Sequence, residues 1–231
     1  VGGSRAREPA DGADRRVVTR YATVLLDLDG TVIDSVDLIR ESHRHAVRHV
    51  LGVEMSDEEL VVNVGRPLTE QMRHFSEEHA DRLLAVYQEW NAANTARLLQ
   101  AYDQMDGALA RMRDAGARLG IVTSKRAHTV ALAWDVLPLR GLFDVVITAD
   151  DSRRHKPDPE PVLTALSQLG ASASSAVFVG DAPFDLRAGR RAGVATIGVT
   201  WGFFDRTQLI PEHPDHLVDT VAELEAIVLG A

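Results

Sequence analysis

The chain has 231 residues, of which 45% are hydrophobic and 26% are charged, as in ordinary globular proteins. It has no cysteine and a formal net charge of −9, which excludes disulfides and cysteine zinc sites and disfavours nucleic acids and anionic membranes as partners. No apolar run approaches the roughly 20 residues of a membrane span, and no apolar core of a secretory signal stands near the start. We therefore expect a cytoplasmic globular protein.

The first 20 residues differ in composition from the rest of the chain. They hold arginines, glycines, alanines and aspartates and show little apolar periodicity. This composition predicts a mobile leader at residues 1–20. A basic targeting arm is the alternative interpretation.

Short apolar runs then alternate with helical patterns. The first run, at residues 24–26, stops abruptly at acidic residues and a glycine, as is typical of a strand buried on both faces. The alternation predicts an α/β fold, a doubly wound parallel sheet with helices on both faces. The later predicted strands are 119–124, 143–148, 176–181 and 194–200, and the predicted helices between them are 105–115, 127–137, 159–169 and 183–192.

One gap breaks this rhythm. The chain runs from Asp27 to Leu119 before the second strand, whereas a βαβ unit takes about 30 residues in all. Structureless loops of that length are rare in compact domains, and the patterns predict helices at 35–51, 57–63, 69–79 and 81–99. Ser56 and Glu59 have the spacing of a capping box, and Pro67 suits the first turn of a helix.

We therefore expect two domains. Residues 35–102 would form a small all-helical cap, inserted after the first strand. Residues 21–34 and 103–231 would form the α/β core.

Polar side chains stand directly after the predicted strands or open the following helix. Because the carboxyl ends of parallel strands share one edge of the sheet, where such sheets bind ligands, these side chains can converge. The residues are Asp27, Asp29, Thr123, Lys156, Asp181 and Asp185.

This set of side chains favours chemistry on a phosphate group. Clustered carboxylates stay ionised only beside a cation, and oxygen ligands without Cys or His favour Mg²⁺ over zinc. One carboxylate can attack phosphorus and form an aspartyl-phosphate, while a second acts as general acid and base. A hydroxyl, a backbone N–H and a lysine can hold the phosphoryl oxygens.

Four segments carry a resemblance to a known family. In order, they resemble the four motifs of the haloacid dehalogenase-like (HAD) hydrolase superfamily, and the helical insert is similar to its C1-type cap. The segments are Asp27-Leu-Asp-Gly-Thr31, Val122-Thr-Ser-Lys125, Lys156-Pro-Asp-Pro159 and Gly180-Asp-Ala-Pro-Phe-Asp185. Within the superfamily the chain most resembles phosphoglycolate phosphatases and the related pyrophosphatases, because residues 27–35 and Val199-Thr-Trp-Gly-Phe203 are typical of that branch.

The resemblance implies a role for each matching acid. Asp27 would attack phosphorus, and Asp29 would protonate the leaving oxygen and then activate water. Asp27, the backbone carbonyl of Asp29 and Asp181 would hold Mg²⁺. Asp185 would support the metal through water or orient Lys156.

The resemblance also implies a set of substrate-binding residues. Thr123 and the Ser124 N–H would bind the phosphate, and Lys156 would neutralise Asp27 and the phosphoryl group. Lys125 would either touch the substrate or lie on the surface, and Arg66 would contact the substrate from the cap. The complete predicted set is Gly30, Thr31, Arg66, Thr123, Ser124, Lys125 and Lys156.

The sequence thus predicts a Mg²⁺-dependent phosphatase that acts on a small phosphorylated metabolite through an aspartyl-phosphate. Phosphoglycolate, pyrophosphate and sugar phosphates are the candidate substrates. A phosphomutase that uses the same residues and a non-catalytic binding module of the same fold are the alternatives. A dehalogenase would leave Asp29 and Asp181 unexplained, because displacing a halide needs neither a proton donor nor a metal.

Overall fold

The structure is a computed structural model that describes residues 19–230. The predicted leader lies outside the described residues, except for its last two positions. None of the helices in residues 19–230 is long and apolar enough to cross a lipid bilayer.

The described residues form eight β-strands and ten α-helices. The strands are β1 (Thr23–Leu26), β2 (Ile33–Asp34), β3 (Gln100–Ala101), β4 (Arg118–Val122), β5 (Val145–Ile147), β6 (Ala176–Gly180), β7 (Ala195–Val199) and β8 (His216–Val218). The helices are α1 (Val36–Leu51), α2 (Asp57–Val61), α3 (Leu68–Phe75), α4 (Ala80–Leu98), α5 (Met105–Asp114), α6 (Ala127–Val136), α7 (Glu160–Leu169), α8 (Pro183–Ala192), α9 (Arg206–Leu209) and α10 (Val221–Leu229).

Six strands form one parallel sheet in the order β5-β4-β1-β6-β7-β8. The predicted α/β fold with a parallel sheet is confirmed. The chain builds outward from β1 through β4 and β5 and then continues on the other side of β1 with β6. The strand order therefore reverses at β1, which is where sheets of this type bind ligands. The prediction missed β8, because this edge strand has only three residues and two of them are half-buried.

The side chains of β1 divide the core into two layers, because successive residues of a strand point to opposite faces. Val24 and Leu26 pack in one cluster with Leu109 of α5. Leu25 packs in the other cluster with Val162 of α7. All three β1 side chains are fully buried, so helices cover both faces of the sheet and fix the end of β1 in place.

Helices α1–α4 lie between β2 and β3, which pair with each other in antiparallel register. They share a core of their own, separate from the two clusters on the sheet. Its buried members are Ala46, Val47, Leu60, Met72, Leu83 and Tyr87. This arrangement agrees with an inserted cap, whose domain bounds at residues 35–102 stay a prediction.

Two local details of this insert bear on the predictions. The capping box is present, because the Ser56 hydroxyl accepts a hydrogen bond from the Glu59 N–H at 3.3 Å and the Glu59 carboxylate accepts one from the Ser56 N–H at 2.8 Å. Helix α3, however, ends at Phe75 and not at residue 79. Ser76 adopts extended backbone with φ −164°, and its hydroxyl accepts a hydrogen bond from the His79 N–H.

Candidate active site

Three strand ends position three of the predicted site residues. Asp27 directly follows β1, and its N–H donates to the Val179 carbonyl of β6 at 2.9 Å. Thr123 directly follows β4, and its N–H donates to the Ile147 carbonyl of β5 at 2.9 Å. Asp181 directly follows β6 and is buried. The sheet hydrogen bonds thus extend to these residues and hold their backbones at one edge.

Three buried acids form a cluster at this edge. Asp27, Asp181 and Asp185 each offer a carboxylate oxygen, and these oxygens all lie within 4.8 Å of one another. The Asp29 side chain is not part of the cluster. This agrees with the sequence prediction, in which Asp29 holds the metal through its backbone carbonyl and not through its side chain.

Lys156 joins two of the three acids. Its Nζ lies 2.7 Å from Asp27 Oδ1 and 2.6 Å from Asp185 Oδ1. The second oxygen of Asp185 accepts a hydrogen bond from the Ala182 N–H at 3.1 Å. Burial alone would lower the pKa of Lys156, but the Asp185 and Asp27 carboxylates raise it above its ordinary value. Lys156 therefore stays protonated between the Asp27 and Asp185 carboxylates.

Burial destabilises the charged forms of the acids. Burial and the charge of Asp185 raise the pKa of Asp27 and Lys156 lowers it, and the net result is a pKa of about 7. Burial also raises the pKa of Asp181 well above its usual range, and the charges of Asp185 and Asp27 act in the same direction. The single positive charge of Lys156 does not balance three carboxylates, so the cluster favours a further cation.

Asp181 has a hydrogen-bond donor on each carboxylate oxygen. The Thr31 hydroxyl donates to Oδ1 at 3.1 Å, and the Phe203 N–H donates to Oδ2 at 2.7 Å. Sequence reasoning missed Phe203, because the group that it contributes is a backbone N–H. The Trp201-Gly202-Phe203 pattern was the one signal in the sequence.

Two of the predicted substrate-binding residues, Gly30 and Thr31, make hydrogen bonds that hold the loop after β1. The Gly30 N–H donates to the Ile33 carbonyl at 3.0 Å, and the Thr31 hydroxyl donates to Asp181. Gly30 has φ 77°, a conformation that favours glycine. Both residues thus shape the loop after β1.

Lys125 and Asp29 form an ion pair at the same edge. The Lys125 Nζ lies 2.9 Å from each carboxylate oxygen of Asp29. The exposed fractions of the two side chains are 11% and 14%. Lys125 therefore is not a solvated surface lysine, and its cation lies beside the predicted acid and base.

A cavity of about 330 Å³ lies over these residues, between the sheet edge and the helical insert. From the core it is lined by Asp27, Asp29, residues 123–126, Thr129, Ala149, His155, Asp181 and Ala182. From the insert it is lined by Ile39, residues 64–69, Gln71, Leu84, Tyr87, Gln88 and Asn91. Apart from Arg66, no motif marks the polar residues that line the cavity from the insert, because only the packing of α3 and α4 turns their side chains toward the core.

The turn before α3 connects the insert to the core. The Ser124 hydroxyl donates a hydrogen bond to the Gly65 carbonyl at 2.7 Å. The Arg66 guanidinium lies 4.7 Å from the centre of the Phe184 ring, in cation–π geometry, and 3.5 Å from Glu70. Arg66 also lines the cavity, where the sequence predicts a substrate contact.

Comparison with known proteins gives consistent findings. The family model described as haloacid dehalogenase-like hydrolase matches residues 24–199. Pyrophosphatase PpaX of Bacillus velezensis is 35% identical over 205 residues, which are 89% of this chain and 95% of that protein. Pyrophosphatase PpaX of Anoxybacillus flavithermus is 34% identical over 206 residues, which are 89% of this chain and 96% of that protein.

Solved structures share the fold. A predicted phosphatase from Clostridium acetobutylicum superimposes with a TM-score of 0.81 at 25% identity, covering 91% of this chain and 99% of that one. A predicted phosphoglycolate phosphatase from Haemophilus somnus 129pt superimposes with a TM-score of 0.83 at 21% identity, covering 90% of this chain and 98% of that one. The second likeness concerns the fold alone.

Proposed function

Because the chain belongs to the haloacid dehalogenase-like hydrolase family, we propose that it is a Mg²⁺-dependent phosphatase whose nucleophile is Asp27. One observation carries the proposal. The buried Asp27 carboxylate stands at the end of β1, lines the cavity and contacts the Lys156 ammonium at 2.7 Å. A carboxylate held in this way beside a cation can act as a nucleophile toward phosphorus.

We assign the covalent step to Asp27. One of its oxygens attacks phosphorus, the bond between phosphorus and the leaving oxygen breaks, and an aspartyl-phosphate forms. Water then attacks the same phosphorus, inorganic phosphate departs, and the Asp27 carboxylate is regenerated. Lys156 supports this role, because its charge opposes the rise in the pKa of Asp27 that burial causes.

We assign proton transfer to Asp29. It gives a proton to the leaving oxygen in the first step and takes one from the attacking water in the second. Asp29 and Asp27 both line the cavity, two positions apart in the loop that turns at Gly30. The ion pair with Lys125 holds the Asp29 carboxylate at this place.

The residues present fit a Mg²⁺ ion. The three clustered carboxylates supply the oxygen ligands that Mg²⁺ prefers, and their burial leaves negative charge that Lys156 does not balance. Asp27, Asp181 and the backbone carbonyl of Asp29 would hold the ion, with Asp185 acting through water or through Lys156. When bound, Mg²⁺ neutralises phosphoryl oxygens and the charge that develops on them during transfer.

Three further groups are suited to hold the phosphoryl oxygens. The Thr123 hydroxyl accepts a hydrogen bond from the Lys125 N–H at 3.1 Å, so its own proton is directed elsewhere and can be donated. Thr123 and Ser124 line the cavity. We propose that the Thr123 hydroxyl, the Ser124 N–H and the Lys156 ammonium bind the phosphoryl group together.

The charges around the cavity favour a substrate whose leaving group is anionic. Lys125, Arg66 and Arg126 line the cavity, and Lys125 contacts the residue that we assign to the leaving oxygen. The leaving group is phosphate for pyrophosphate and glycolate for phosphoglycolate, and both are anions. A sugar phosphate instead releases an uncharged sugar. The PpaX relatives are named pyrophosphatases, and the Haemophilus structure is described as a predicted phosphoglycolate phosphatase. We therefore place these two substrates ahead of sugar phosphates.

We further propose that residues 35–102 act as a cap that closes over this substrate and excludes water. The Ser124–Gly65 hydrogen bond supports this role, because it joins the insert to the phosphate-binding segment. A cytoplasmic location and the absence of nucleic-acid and membrane partners stay predictions.

Phosphate release tests the proposed function. The substrates are pyrophosphate, 2-phosphoglycolate, a sugar phosphate and an aryl phosphate, each with and without Mg²⁺. Asp27→Asn is nearly isosteric, so it should keep the fold and lose phosphate release by about 10³-fold or more, as loss of a nucleophile does. Asp103→Asn, at an exposed position, is the matched control.

The outcomes separate the alternatives. Mg²⁺-dependent release that Asp27→Asn abolishes supports the phosphatase, and retention of most activity by Asp27→Asn contradicts it. Interconversion of sugar phosphates without net release would indicate a phosphomutase. Stabilisation by these ligands without any turnover would indicate a binding module.

A further inference from the structure

The segment of residues 201–203, which follows β7, contacts the acid cluster although it carries no ionisable side chain. Its Phe203 N–H donates to Asp181 Oδ2 at 2.7 Å. A hydrogen bond from a backbone N–H to a carboxylate fixes the direction of that carboxylate as well as stabilising its charge. The catalytic roles proposed above do not use this segment.

Gly202 lies so close to the cluster that no side chain fits there. A Cβ at position 202 would overlap Asp181 Oδ2 and the Gly30 carbonyl oxygen. A Cβ at Gly30 would overlap Asp181 Oδ2 in the same way and would also strike the Phe203 ring, at 2.7 Å. Because both positions are glycine, the loop after β1 and the 201–203 segment can both approach the Asp181 carboxylate closely. Asp181 therefore has little freedom to rotate.

Trp201 ties the segment to the loop after β1. Its indole Nε1 donates to the Thr31 carbonyl at 3.1 Å, and the Thr31 hydroxyl donates to Asp181 Oδ1 at 3.1 Å. Both oxygens of Asp181 are thus held through the 201–203 segment, Oδ2 directly and Oδ1 through Thr31. The Tyr102 hydroxyl donates to the Trp201 carbonyl at 3.3 Å, which connects the segment to the end of the insert as well.

We propose that the 201–203 segment is a positioning element for the metal site, which sets the direction of the Asp181 carboxylate relative to Asp27. The inference rests on the proposed function, because it requires Mg²⁺ at the acid cluster. Partners that orient metal ligands commonly change metal affinity by about 10- to 100-fold when they are altered. Gly202 is the critical residue, since a methyl group there must displace either Asp181 or the loop after β1.

Thermal unfolding of the full chain across a Mg²⁺ titration, without substrate, tests this inference. Binding to the folded state stabilises it by RT ln(1 + [Mg²⁺]/Kd), so Tm rises with Mg²⁺ concentration. We define the Mg²⁺ midpoint as the concentration at which this gain equals RT ln 2, because half of the folded chains then hold Mg²⁺ and the concentration equals Kd. We expect Gly202→Ala to raise the Mg²⁺ midpoint by about 10-fold or more. Phosphate release at saturating and at limiting Mg²⁺ provides the second readout, with the larger loss at limiting Mg²⁺.

Gly198→Ala is the matched control. Gly198 lies in β7, and a Cβ there would meet the end of the Leu217 side chain at 2.8 Å, away from the acids. This variant should lower Tm through crowding and leave the Mg²⁺ midpoint unchanged. The comparison separates a packing defect from a loss of metal affinity.

A second variant covers the case in which Gly202→Ala does not fold. Trp201→Phe removes the donor to the Thr31 carbonyl but keeps an aromatic ring, and it should raise the Mg²⁺ midpoint by about 3-fold, the loss expected of one neutral hydrogen bond. If the wild-type chain binds Mg²⁺ and releases phosphate while the folded variants keep its midpoint, the positioning role is wrong and the proposed function stands. If Mg²⁺ does not stabilise the wild-type chain, the metal site is wrong and this inference is wrong with it.

Discussion

Lys156 and Asp27 form an ion pair that is closed off from solvent. Their charged atoms lie 2.7 Å apart, and 2% and 6% of the two side chains are exposed. The partners come from different elements, since Asp27 follows β1 and Lys156 precedes α7. The ionisation of Asp27, the nucleophile that we propose, therefore depends on the charge of Lys156 as well as on the other acids of the cluster.

Replacing Lys156 by methionine should affect both stability and activity. The change leaves the Asp27 and Asp185 carboxylates without their buried partner, which typically costs about 3–5 kcal/mol. We expect urea denaturation in the presence of EDTA to show a loss of this order, and Mg²⁺ to restore part of it. Phosphate release should fall by about 10²-fold or more, because a charge that stabilises the phosphoryl group is lost.

Lys156→Arg provides the control for charge. It keeps the cation but not the compact shape of the ammonium, so it should recover much of the stability and little of the activity. Unfolding free energies for Lys156→Met that match those of the wild type in EDTA would contradict the assigned charge balance.

The Lys125–Asp29 pair yields a prediction about the leaving group. Lys125→Met removes a cation that lines the cavity beside Asp29. We expect kcat/KM to fall by about 10-fold more for pyrophosphate than for an aryl phosphate, which corresponds to about 1.4 kcal/mol of lost transition-state stabilisation. The physical reason is that a departing phosphate carries charge that Lys125 can neutralise.

Lys125→Arg is the conservative control for this pair and should keep the preference for pyrophosphate. Equal losses for both substrates in Lys125→Met would mean that Lys125 acts only by holding Asp29. The comparison thus separates a substrate contact from a purely positioning role.

The Ser124–Gly65 hydrogen bond gives a prediction about how firmly the insert docks on the core. Ser124→Ala removes a hydroxyl that donates to the Gly65 carbonyl at 2.7 Å but keeps the Ser124 N–H for phosphate. The loss of one such bond is worth about 0.5–1.5 kcal/mol, so KM should rise by about 2- to 13-fold. Hydrogen exchange at residues 65–68 should become faster, since this turn would dock less firmly on the core.

Ser124→Thr keeps the hydroxyl and should restore both KM and the slow exchange. An exchange rate in Ser124→Ala that equals the wild-type rate would show that Arg66 and Phe184 hold the turn without Ser124. In that case the hydroxyl would not be part of cap closure.

The sequence predicts best what the sheet topology enforces. Asp27, Thr123 and Asp181 each follow an apolar run, and a parallel sheet brings the ends of such runs to one edge. By contrast, Phe203 contacts Asp181 through a backbone N–H, which every residue except proline has. The residue type at position 203 therefore does not predict this contact. Gln71 faces the cavity only because of how α3 packs on α4, and no local pattern encodes that packing.

His43, in the core of the insert, gives a prediction about pH. Its ring is fully buried between Phe75 and Tyr87, with ring centres 5.3 Å and 4.9 Å away, and burial lowers the pKa of His43 to about 3 from an ordinary value of 6.5. The folded chain therefore keeps His43 neutral at a pH where the unfolded chain protonates it. Well above pH 6.5 both states hold His43 neutral, so it does not affect the pH dependence of stability. As the pH falls from 6.5 toward 3, the unfolded chain gains a proton that the folded chain does not, and the free energy of unfolding falls by up to about 1.4 kcal/mol per pH unit.

His43→Leu should remove this dependence, because leucine has no titrating group and is close to histidine in volume. We expect the difference in unfolding free energy between the variant and the wild type, measured in urea, to shift in favour of the variant by about 2 kcal/mol as the pH falls from 6.5 to 5. The difference between the two chains isolates His43 from other groups that titrate in this range. His45→Gln, at an exposed position on the same helix, is the control for replacing a histidine of α1. Parallel curves for His43→Leu and the wild type would instead mean that folded His43 takes up its proton as readily as the unfolded chain does.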